Sequence, residues 1–242
     1  SAQDFAYDSA AGRGSDPRRG PPRTMSSLAS SSAYRTRHCL DYREALEDGF
    51  LDGGRRGGRE LLRVSFSGDA RLARFLQFIE QRRRSVSVDG VTKLKIVALA
   101  IADVFGGSDS SVSQKTEMRC KELRLRSPEG IVDIGDLMGG KALGDPPGTG
   151  ICRHRAILFK AACDRLALCP ARLVRGSYRG GEHVWNLARV GGAEYLVDLM
   201  HFKVDLYDEA GPMVHRYIWL GCAAREPDRG SEGDGGEAAP SP

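Results

Sequence analysis

The sequence lacks the features that mark several common classes of protein. No apolar run is long enough to span a membrane, and no apolar stretch typical of a secretion signal lies near the N-terminus. The six cysteines include no pair at C-x-x-C spacing, which is the usual sign of a structural zinc site. We therefore expect a cytoplasmic chain with reduced cysteines, no membrane span, no metal and no cofactor.

Both ends of the chain have few large apolar side chains. Residues 1–58 are rich in Ser, Gly, Arg and Pro, and residues 225–242 consist mainly of Gly, Glu, Asp, Pro and Ser. Such segments bury too little apolar area to offset the loss of chain entropy. We predict a disordered N-terminal segment over 1–58, one domain over 60–224 and a disordered acidic tail over 225–242.

The charge distribution gives little indication of a nucleic-acid partner. The formal net charge is +4, and the basic residues are spread through the chain among 32 acidic ones. The stretch Gly53–Arg59 resembles an RNA-binding Arg-Gly patch, but it occurs once and has no interleaved aromatic residues. A solvated basic linker is the favoured interpretation, and we expect no nucleic-acid contact.

Hydrophobic periodicity predicts a helix-rich half followed by a strand-rich half. Helices are predicted over 69–83, 91–105, 114–123 and 152–167. Strands are predicted over 131–134, 171–175, 183–190 and 194–200, with a Gly-rich loop at 176–182 and a strand or short helix at 213–220. This order predicts an α+β fold in which the last helix packs against an antiparallel sheet.

The last predicted helix begins with a cysteine. Free backbone N–H groups and the positive end of the helix dipole favour an anion there, so Cys152 is biased toward the nucleophilic thiolate. His183 and Asp198 follow on two successive predicted strands. A nucleophile, a base and a carboxylate that orients the base make up a Cys-His-Asp site.

The turn between those two strands sets their register. The pair Gly191–Gly192 predicts a two-residue hairpin, because both central positions of a type I′ turn need positive φ. Counting outward from it places His183, Trp185 and Asp198 on one face of the sheet. His183 and Asp198 then become diagonal neighbours, roughly 7–8 Å apart along the backbone.

This arrangement assigns a role to each residue. Cys152 is the predicted nucleophile, and His183 accepts its proton or holds it as an ion pair. Asp198 fixes the imidazole tautomer and favours its protonated form. Trp185 is expected to line the substrate site and shield it from water.

Structural roles remain open for the same residues. Cys152 alone is compatible with a core cysteine, and His183 alone with a structural strand histidine. Asp198 has Arg172 and Arg175 as possible ion-pair partners.

The start of the predicted helix holds further polar residues. One of Arg153 and Arg155 is expected to pair with Asp198 or Asp164, and the other to face solvent. Thr149 is expected to cap the helix, and His154 to make a structural hydrogen bond. The side chain of Lys160 is expected to reach toward solvent. The segment before the cysteine looks like a phosphate-binding loop, but it has isoleucine in place of the essential lysine.

Three separated segments carry a resemblance to a known family. The strings Gly150–Lys160, Ala171–Gly176 and Tyr195–Met200, with His183-Val184-Trp185, resemble transglutaminase-like, papain-fold enzymes. They look most like the peptidase-like domain of plant Raf-like kinases of the constitutive-triple-response and enhanced-disease-resistance type. A similar domain lies at the C-terminus of a family of armadillo-repeat proteins. The resemblance covers about 61–208 and implies a papain-like, transglutaminase-like core.

Two functions stay open on this basis. The resemblance implies a regulatory module that binds protein partners, since many relatives lack the histidine. The retained Cys152, His183 and Asp198 instead favour a cysteine acyl-transfer enzyme, such as a protease, amidase or transglutaminase, acting on a protein substrate. The chain holds neither a kinase signature set nor an armadillo repeat, so it is a stand-alone domain or a piece of a larger protein.

Overall fold

The computed structural model describes residues 39–53, 60–85, 87–107, 111–201, 206–208 and 217–219. These residues form four α-helices and nine β-strands in two sheets, which confirms the predicted α+β class. The finer papain-like arrangement of the core stays a prediction. Within the described part of the chain, none of the helices combines the length and apolar character that crossing a membrane requires.

The helices agree with the periodicity of the sequence to within a few residues. They are α1 (Ala70–Ser85), α2 (Gly90–Val104), α3 (Val112–Arg126) and α4 (Cys152–Arg165), with a 3-10 turn at Ile134–Leu137. The predicted stripe of α1 is buried as expected at Leu72, Phe75, Leu76 and Ile79. The side chain of Asp89 caps α2 by accepting from the Thr92 N–H at 2.9 Å.

The strands are mostly short, and the longest form the hairpin that the sequence predicts. They are β1 (Cys39–Leu40), β2 (Phe50–Asp52), β3 (Leu61–Val64), β4 (Ile131–Asp133), β5 (Ala171–Tyr178), β6 (Gly181–Val190), β7 (Ala193–Val197), β8 (Leu206–Asp208) and β9 (Tyr217–Trp219). The larger sheet runs β1-β5-β6-β7-β8, and β9 also pairs with β5. The smaller sheet runs β2-β3-β4, with β3 and β4 parallel.

The predicted hairpin register is present in the larger sheet. Gly191 and Gly192 have φ values of 59° and 85°, and Val190 pairs with Ala193 across them. The ladder between β6 and β7 ends at the pair Asn186–Val197, so β6 extends beyond its partner. This uncovered part of β6 becomes important at the site.

Two segments differ from the sequence-based prediction. The Gly-rich loop expected at 176–182 is only a tight turn at Arg179–Gly180, because β5 continues to Tyr178 and β6 begins at Gly181. In the N-terminal segment predicted to be disordered, residues 39–53 contribute β1 and β2 to the fold. Strands of two or three residues are too short to show periodicity. The rest of that segment and the predicted tail at 225–242 lie outside the described residues.

The two faces of the larger sheet carry separate clusters of buried side chains. Val184 and Ala188 of β6 belong to the main core, which also includes most of α4. Trp185 and Leu187 alternate with them and belong to a second cluster with Tyr217 of β9. Helix α4 thus packs on one face of β5 and β6, while aromatic residues cover the other.

Candidate active site

The N-terminus of α4 is fixed by the residues around Cys152. The Ile151 N–H donates to Nδ1 of buried His154 at 3.2 Å, so one free N–H of the first turn has a partner. A Cβ on Gly150 would lie 2.5 Å from the Phe105 ring, so only glycine fits two residues before the cysteine. Thr149 does not cap the helix as predicted, because its hydroxyl bonds to Thr116 at 2.6 Å.

His183 and Asp198 are joined as the sequence predicts. Nε2 of His183 lies 2.7 Å from Oδ2 of Asp198, and both side chains are buried. The backbone N–H groups of Met200 and His201 donate to Oδ1 of Asp198 at 2.9 and 3.3 Å. The Asp198 carboxylate therefore has donors on both oxygens, which fixes the plane in which it meets the imidazole.

A tyrosine that sequence reasoning did not identify completes this arrangement. The hydroxyl of Tyr217 donates to Oδ2 of Asp198 at 2.8 Å. Tyr217 lies in the segment 213–220, predicted only as a strand or short helix. No spacing pattern in the sequence links Tyr217 to Asp198. Strand β9 reaches the site by pairing with β5, which is distant from it in the sequence.

The sulfur of Cys152 meets His183 beside the uncovered part of β6. The imidazole of His183 and the backbone N–H of Val184 lie close enough to the sulfur for both to lower the pKa of the thiol. Because Nε2 of His183 faces Asp198, Nδ1 is the nitrogen left for Cys152. Since β7 ends at Val197, the edge of β6 at Val184 is open to the start of α4. Cys152 itself is partly exposed.

The pKa values of Cys152, His183 and Asp198 are all shifted in the direction that favours their charged forms. Burial raises the pKa of Cys152, but hydrogen bonds and charge from His183, with the Val184 N–H, lower it overall below its usual value. Burial lowers the pKa of His183, but its bonds to Asp198 and Cys152 raise it overall to about 9. Burial opposes ionisation of Asp198, yet His183, Met200 and Tyr217 hold its pKa below the ordinary value. Both shifts favour the charged pair, in which a Cys152 thiolate lies beside a His183 imidazolium.

An aromatic cluster surrounds the imidazole. Trp185 stacks on His183 with ring centroids 5.9 Å apart, and Tyr178 stacks on His201 at 4.6 Å. Trp185 is fully buried, so it offers no surface to a substrate, whereas its sequence context predicts that it lines the substrate site. Its position behind the imidazole instead fits the other predicted role, which is to keep water away from His183.

The two arginines after Cys152 are both buried, contrary to the expectation that one faces solvent. Arg155 donates to the backbone carbonyls of Gly150 at 2.7 Å and Phe105 at 3.0 Å. Its pKa is lowered to about 10 by burial, while the negative charges of Cys152 and Asp198 act in the opposite direction. Arg155 therefore acts on the site through charge and through the backbone, not through an ion pair with Asp198.

Arg153 joins a buried ion network beneath the site. It contacts the carboxylate of Glu60 and lies 3.5 Å from Asp52, which also pairs with Arg175 at 2.6 Å. His154 Nε2 lies 3.0 Å from Glu60 as well. Burial raises the pKa of Glu60, but His154 and Arg153 lower it overall to about 2. The network connects α4 to strands β2 and β5.

Lys160 does not reach toward solvent as predicted. It is fully buried and pairs with Asp164 one turn later, at 2.8 Å. The other Asp164 oxygen accepts from the backbone N–H of Leu46 at 2.9 Å. This pair therefore neutralises the lysine within the core.

Among the residues that the structure describes, two groups of side chains have the composition of a metal site. One is His183, Asp198 and His201, and the other is Glu60, Cys120 and His154. In the first group, His183 and Asp198 already satisfy each other within the Cys-His-Asp arrangement. In the second, the cation Arg153 contacts Glu60, which opposes a second positive charge there. We therefore propose no metal at either group.

The comparisons with known proteins identify the family. Residues 54–203 match the family model described as EDR1/CTR1/ARMC3, peptidase-like, so the chain belongs to this family of peptidase-like domains. The chain is similar to the probable serine/threonine-protein kinase SIS8 of Arabidopsis thaliana, with 32% identity over 153 residues. The match covers 58% of this chain and 14% of the kinase, so the chain spans a small part of that relative. No solved structure matches.

Proposed function

We propose that this peptidase-like domain acts on a protein segment through a thiolate at Cys152. The observation that carries the proposal is the hydrogen bond between His183 and Asp198 beside Cys152, with the pKa of His183 raised to about 9 and that of Cys152 lowered. A partly exposed cysteine whose pKa is lowered is a nucleophile for a carbonyl carbon. The substrate class is an amide or ester of a protein side chain or backbone.

Each proposed step uses residues of this chain. The Cys152 sulfur attacks the carbonyl carbon, and the carbonyl oxygen takes the displaced electron pair. When that pair returns, the bond to the leaving nitrogen or oxygen breaks, and His183 supplies the proton that the leaving group needs. The resulting thioester is released by water or an amine, which loses its proton to neutral His183. Asp198 holds the ring orientation throughout.

A regulatory role in a larger protein is part of the same proposal. It is supported by the family, whose description names EDR1, CTR1 and ARMC3, and by the similarity to a protein described as a probable kinase. A protein partner or protein substrate fits both observations. We also propose a cytoplasmic location, supported by the free state of the described cysteines Cys120, Cys152, Cys163 and Cys169.

A second candidate is a module that binds protein partners without chemistry. Trp185 favours it, because the buried ring leaves substrate recognition to residues outside the predicted set. In that case the arrangement around Cys152 stabilises the fold and the surface beside it binds the partner.

Thiol labelling distinguishes the two candidates. With iodoacetamide at pH 6.5, Cys152 is expected to react at least about tenfold faster than a free cysteine, whose thiolate is scarce at that pH. His183→Ala removes the imidazole that lowers the pKa of Cys152, so the rate is expected to fall to that of an ordinary thiol. Cys152→Ala identifies the labelled position. Ordinary reactivity of Cys152 in the folded parent protein would contradict the acyl-transfer proposal and favour the binding module.

A further inference from the structure

A second pair of cysteines lies at the other end of α4. The sulfurs of Cys163 and Cys169 are 4.0 Å apart, within hydrogen-bonding range for thiols. Cys163 is buried on the last turns of the helix, and Cys169 is partly exposed just after it. Neither takes part in the site at Cys152, so their proximity calls for a separate explanation.

The end of the helix produces this proximity. Ala167 adopts a positive φ of 47°, the Leu168 N–H donates to the Cys163 carbonyl at 3.0 Å, and the Ala167 N–H donates to the Asp164 carbonyl at 3.4 Å. These are the two hydrogen bonds of a Schellman motif, which turns the chain back across the last turn of the helix. The turn carries Cys169 to the side of Cys163.

The surroundings differentiate the two thiols. The hydrogen bond from Cys163 lowers the pKa of Cys169, whereas burial raises the pKa of Cys163 well above its usual value. The charge of Lys160 lowers the pKa of both, and Asp164, which pairs with Lys160, opposes it. The partly exposed sulfur is thus the more reactive one, and the buried sulfur beside it retains its proton.

We propose that Cys163 and Cys169 form a reversible disulfide, with Cys169 as the sulfur first oxidised and Cys163 as the resolving thiol. The oxidant class is a hydroperoxide such as hydrogen peroxide. The Cys169 thiolate attacks one peroxide oxygen, the O–O bond breaks and hydroxide leaves, which gives a sulfenic acid. Cys163 then loses its proton and attacks the Cys169 sulfur, and the sulfenic oxygen leaves as water. Two thiols are oxidised by two electrons and one peroxide is reduced to two waters.

The required movement is small. A disulfide has an S–S distance of about 2.05 Å, so the sulfurs must approach by about 2 Å, within reach of side-chain rotation about the Cα–Cβ bonds. Cys120, by comparison, is buried, and burial together with the charge of Glu60 raises its pKa to about 12. It is therefore expected to remain a thiol.

Tryptic peptides give a direct test. Cleavage after Lys160, Arg165 and Arg172 places Cys163 in Ala161–Arg165 and Cys169 in Leu166–Arg172. After brief treatment of the folded chain with hydrogen peroxide, blocking of free thiols and digestion without reductant, these peptides are expected to be linked. The linked mass is 2 Da below the sum of the two, and dithiothreitol separates them.

Two variants keep the result interpretable. Cys163→Ala leaves Cys169 without a resolving thiol, so a sulfenic-acid probe is expected to label Cys169 and no linked peptide is expected. In Cys169→Ser, neither product is expected. Circular dichroism of each variant confirms that it is folded. A failure to link the peptides when Cys152 is already oxidised, or linkage of Cys169 to a different cysteine, would overturn the proposal. The test needs no enzymatic activity, so it is independent of the proposed function.

Discussion

Arg155 donates a hydrogen bond from Nη1 to the backbone carbonyl of Leu199 at 3.0 Å. Leu199 follows Asp198 directly, and the same guanidinium binds the carbonyl of Gly150, just before the helix of Cys152. One buried side chain therefore ties the nucleophile and the carboxylate to a common support. Its positive charge also balances the site, which otherwise holds two negative groups and one imidazolium.

The Arg155→Lys variant tests this connection. Lysine keeps the charge but lacks the planar fork that reaches several carbonyls at once, so we expect a loss of about 2–3 kcal/mol in the free energy of unfolding. Slower labelling of Cys152 by iodoacetamide is expected at pH 6.5. Urea unfolding and labelling rates measure the two effects. Arg189→Lys is the control, because Arg189 is largely exposed and pairs with Glu194 at the surface. Equal behaviour of the two variants would contradict a role for Arg155 at the site.

The bond between His183 and Asp198 predicts a pH dependence. Because the folded pKa of His183 is raised to about 9, its stabilising contribution is complete below its unfolded value of about 6.5 and is lost as pH rises through about 9. Asp198→Asn keeps the shape but removes the negative charge. The pKa of His183 is then expected to fall toward 6.5, which NMR titration of the imidazole measures. An unchanged titration in this variant would show that Asp198 does not set the charge of His183.

Glu60 predicts a loss of stability in acid. Its folded pKa of about 2, against an ordinary value of 4.5, means that its contribution is present above 4.5 and lost as pH falls through about 2. Glu60→Gln leaves Arg153 with a weaker partner and is expected to cost about 3 kcal/mol at pH 7. Denaturant unfolding at several pH values is the measurement, and the difference from the parent protein should shrink below pH 4.5.

A partly exposed carboxylate provides the control for Glu60. Glu80 pairs with Arg83 and Arg84 on the surface of α1, so Glu80→Gln is expected to change stability little at any pH. If both glutamines had the same effect, the buried network around Arg153 would not be a special source of stability.

The contact between Gly150 and Phe105 predicts a steric effect. Gly150→Ala places a methyl group 2.5 Å from the Phe105 ring and is expected to cost about 1–3 kcal/mol, with slower labelling of Cys152 as α4 shifts. Gly181→Ala is the matched control, since its Cβ would meet only the Tyr178 carbonyl oxygen at 3.7 Å. Phe105→Leu combined with Gly150→Ala is expected to recover part of the loss. No recovery would mean that the ring is not the cause.

The sequence predicted those parts of the fold and site that depend on local pattern. The stripe of α1 and the Gly191–Gly192 turn are local signals, and the turn alone fixed the face shared by His183 and Asp198. Tyr217 and Glu60 were missed because they meet their partners, Asp198 and Arg153, only through tertiary folding.

Charge at the start of α4 was also misjudged for a physical reason. A cation in a sequence favours a solvent-facing prediction, because burial is costly without partners. Arg153 finds those partners on β2 and beside β3, while Arg155 finds carbonyls in three different loops. No spacing in the sequence indicates these partners. The solvent-facing prediction was therefore wrong, because partners distant in sequence determine whether each arginine is buried.

Strands β1 and β9 pair with the same edge of β5, and this determines how long a fragment must be to fold. Cys39 and Leu40 occupy its first half and Tyr217–Trp219 its second, and both lie outside the stretch 54–203. Trimming the chain to that stretch would expose the β5 backbone, remove the phenol that holds Asp198 and take Asp52 away from Arg175. A minimal unit cut at the limits of the family match is thus expected to aggregate through the uncovered edge of β5, whereas one that begins before Cys39 and ends after Trp219 keeps that edge paired.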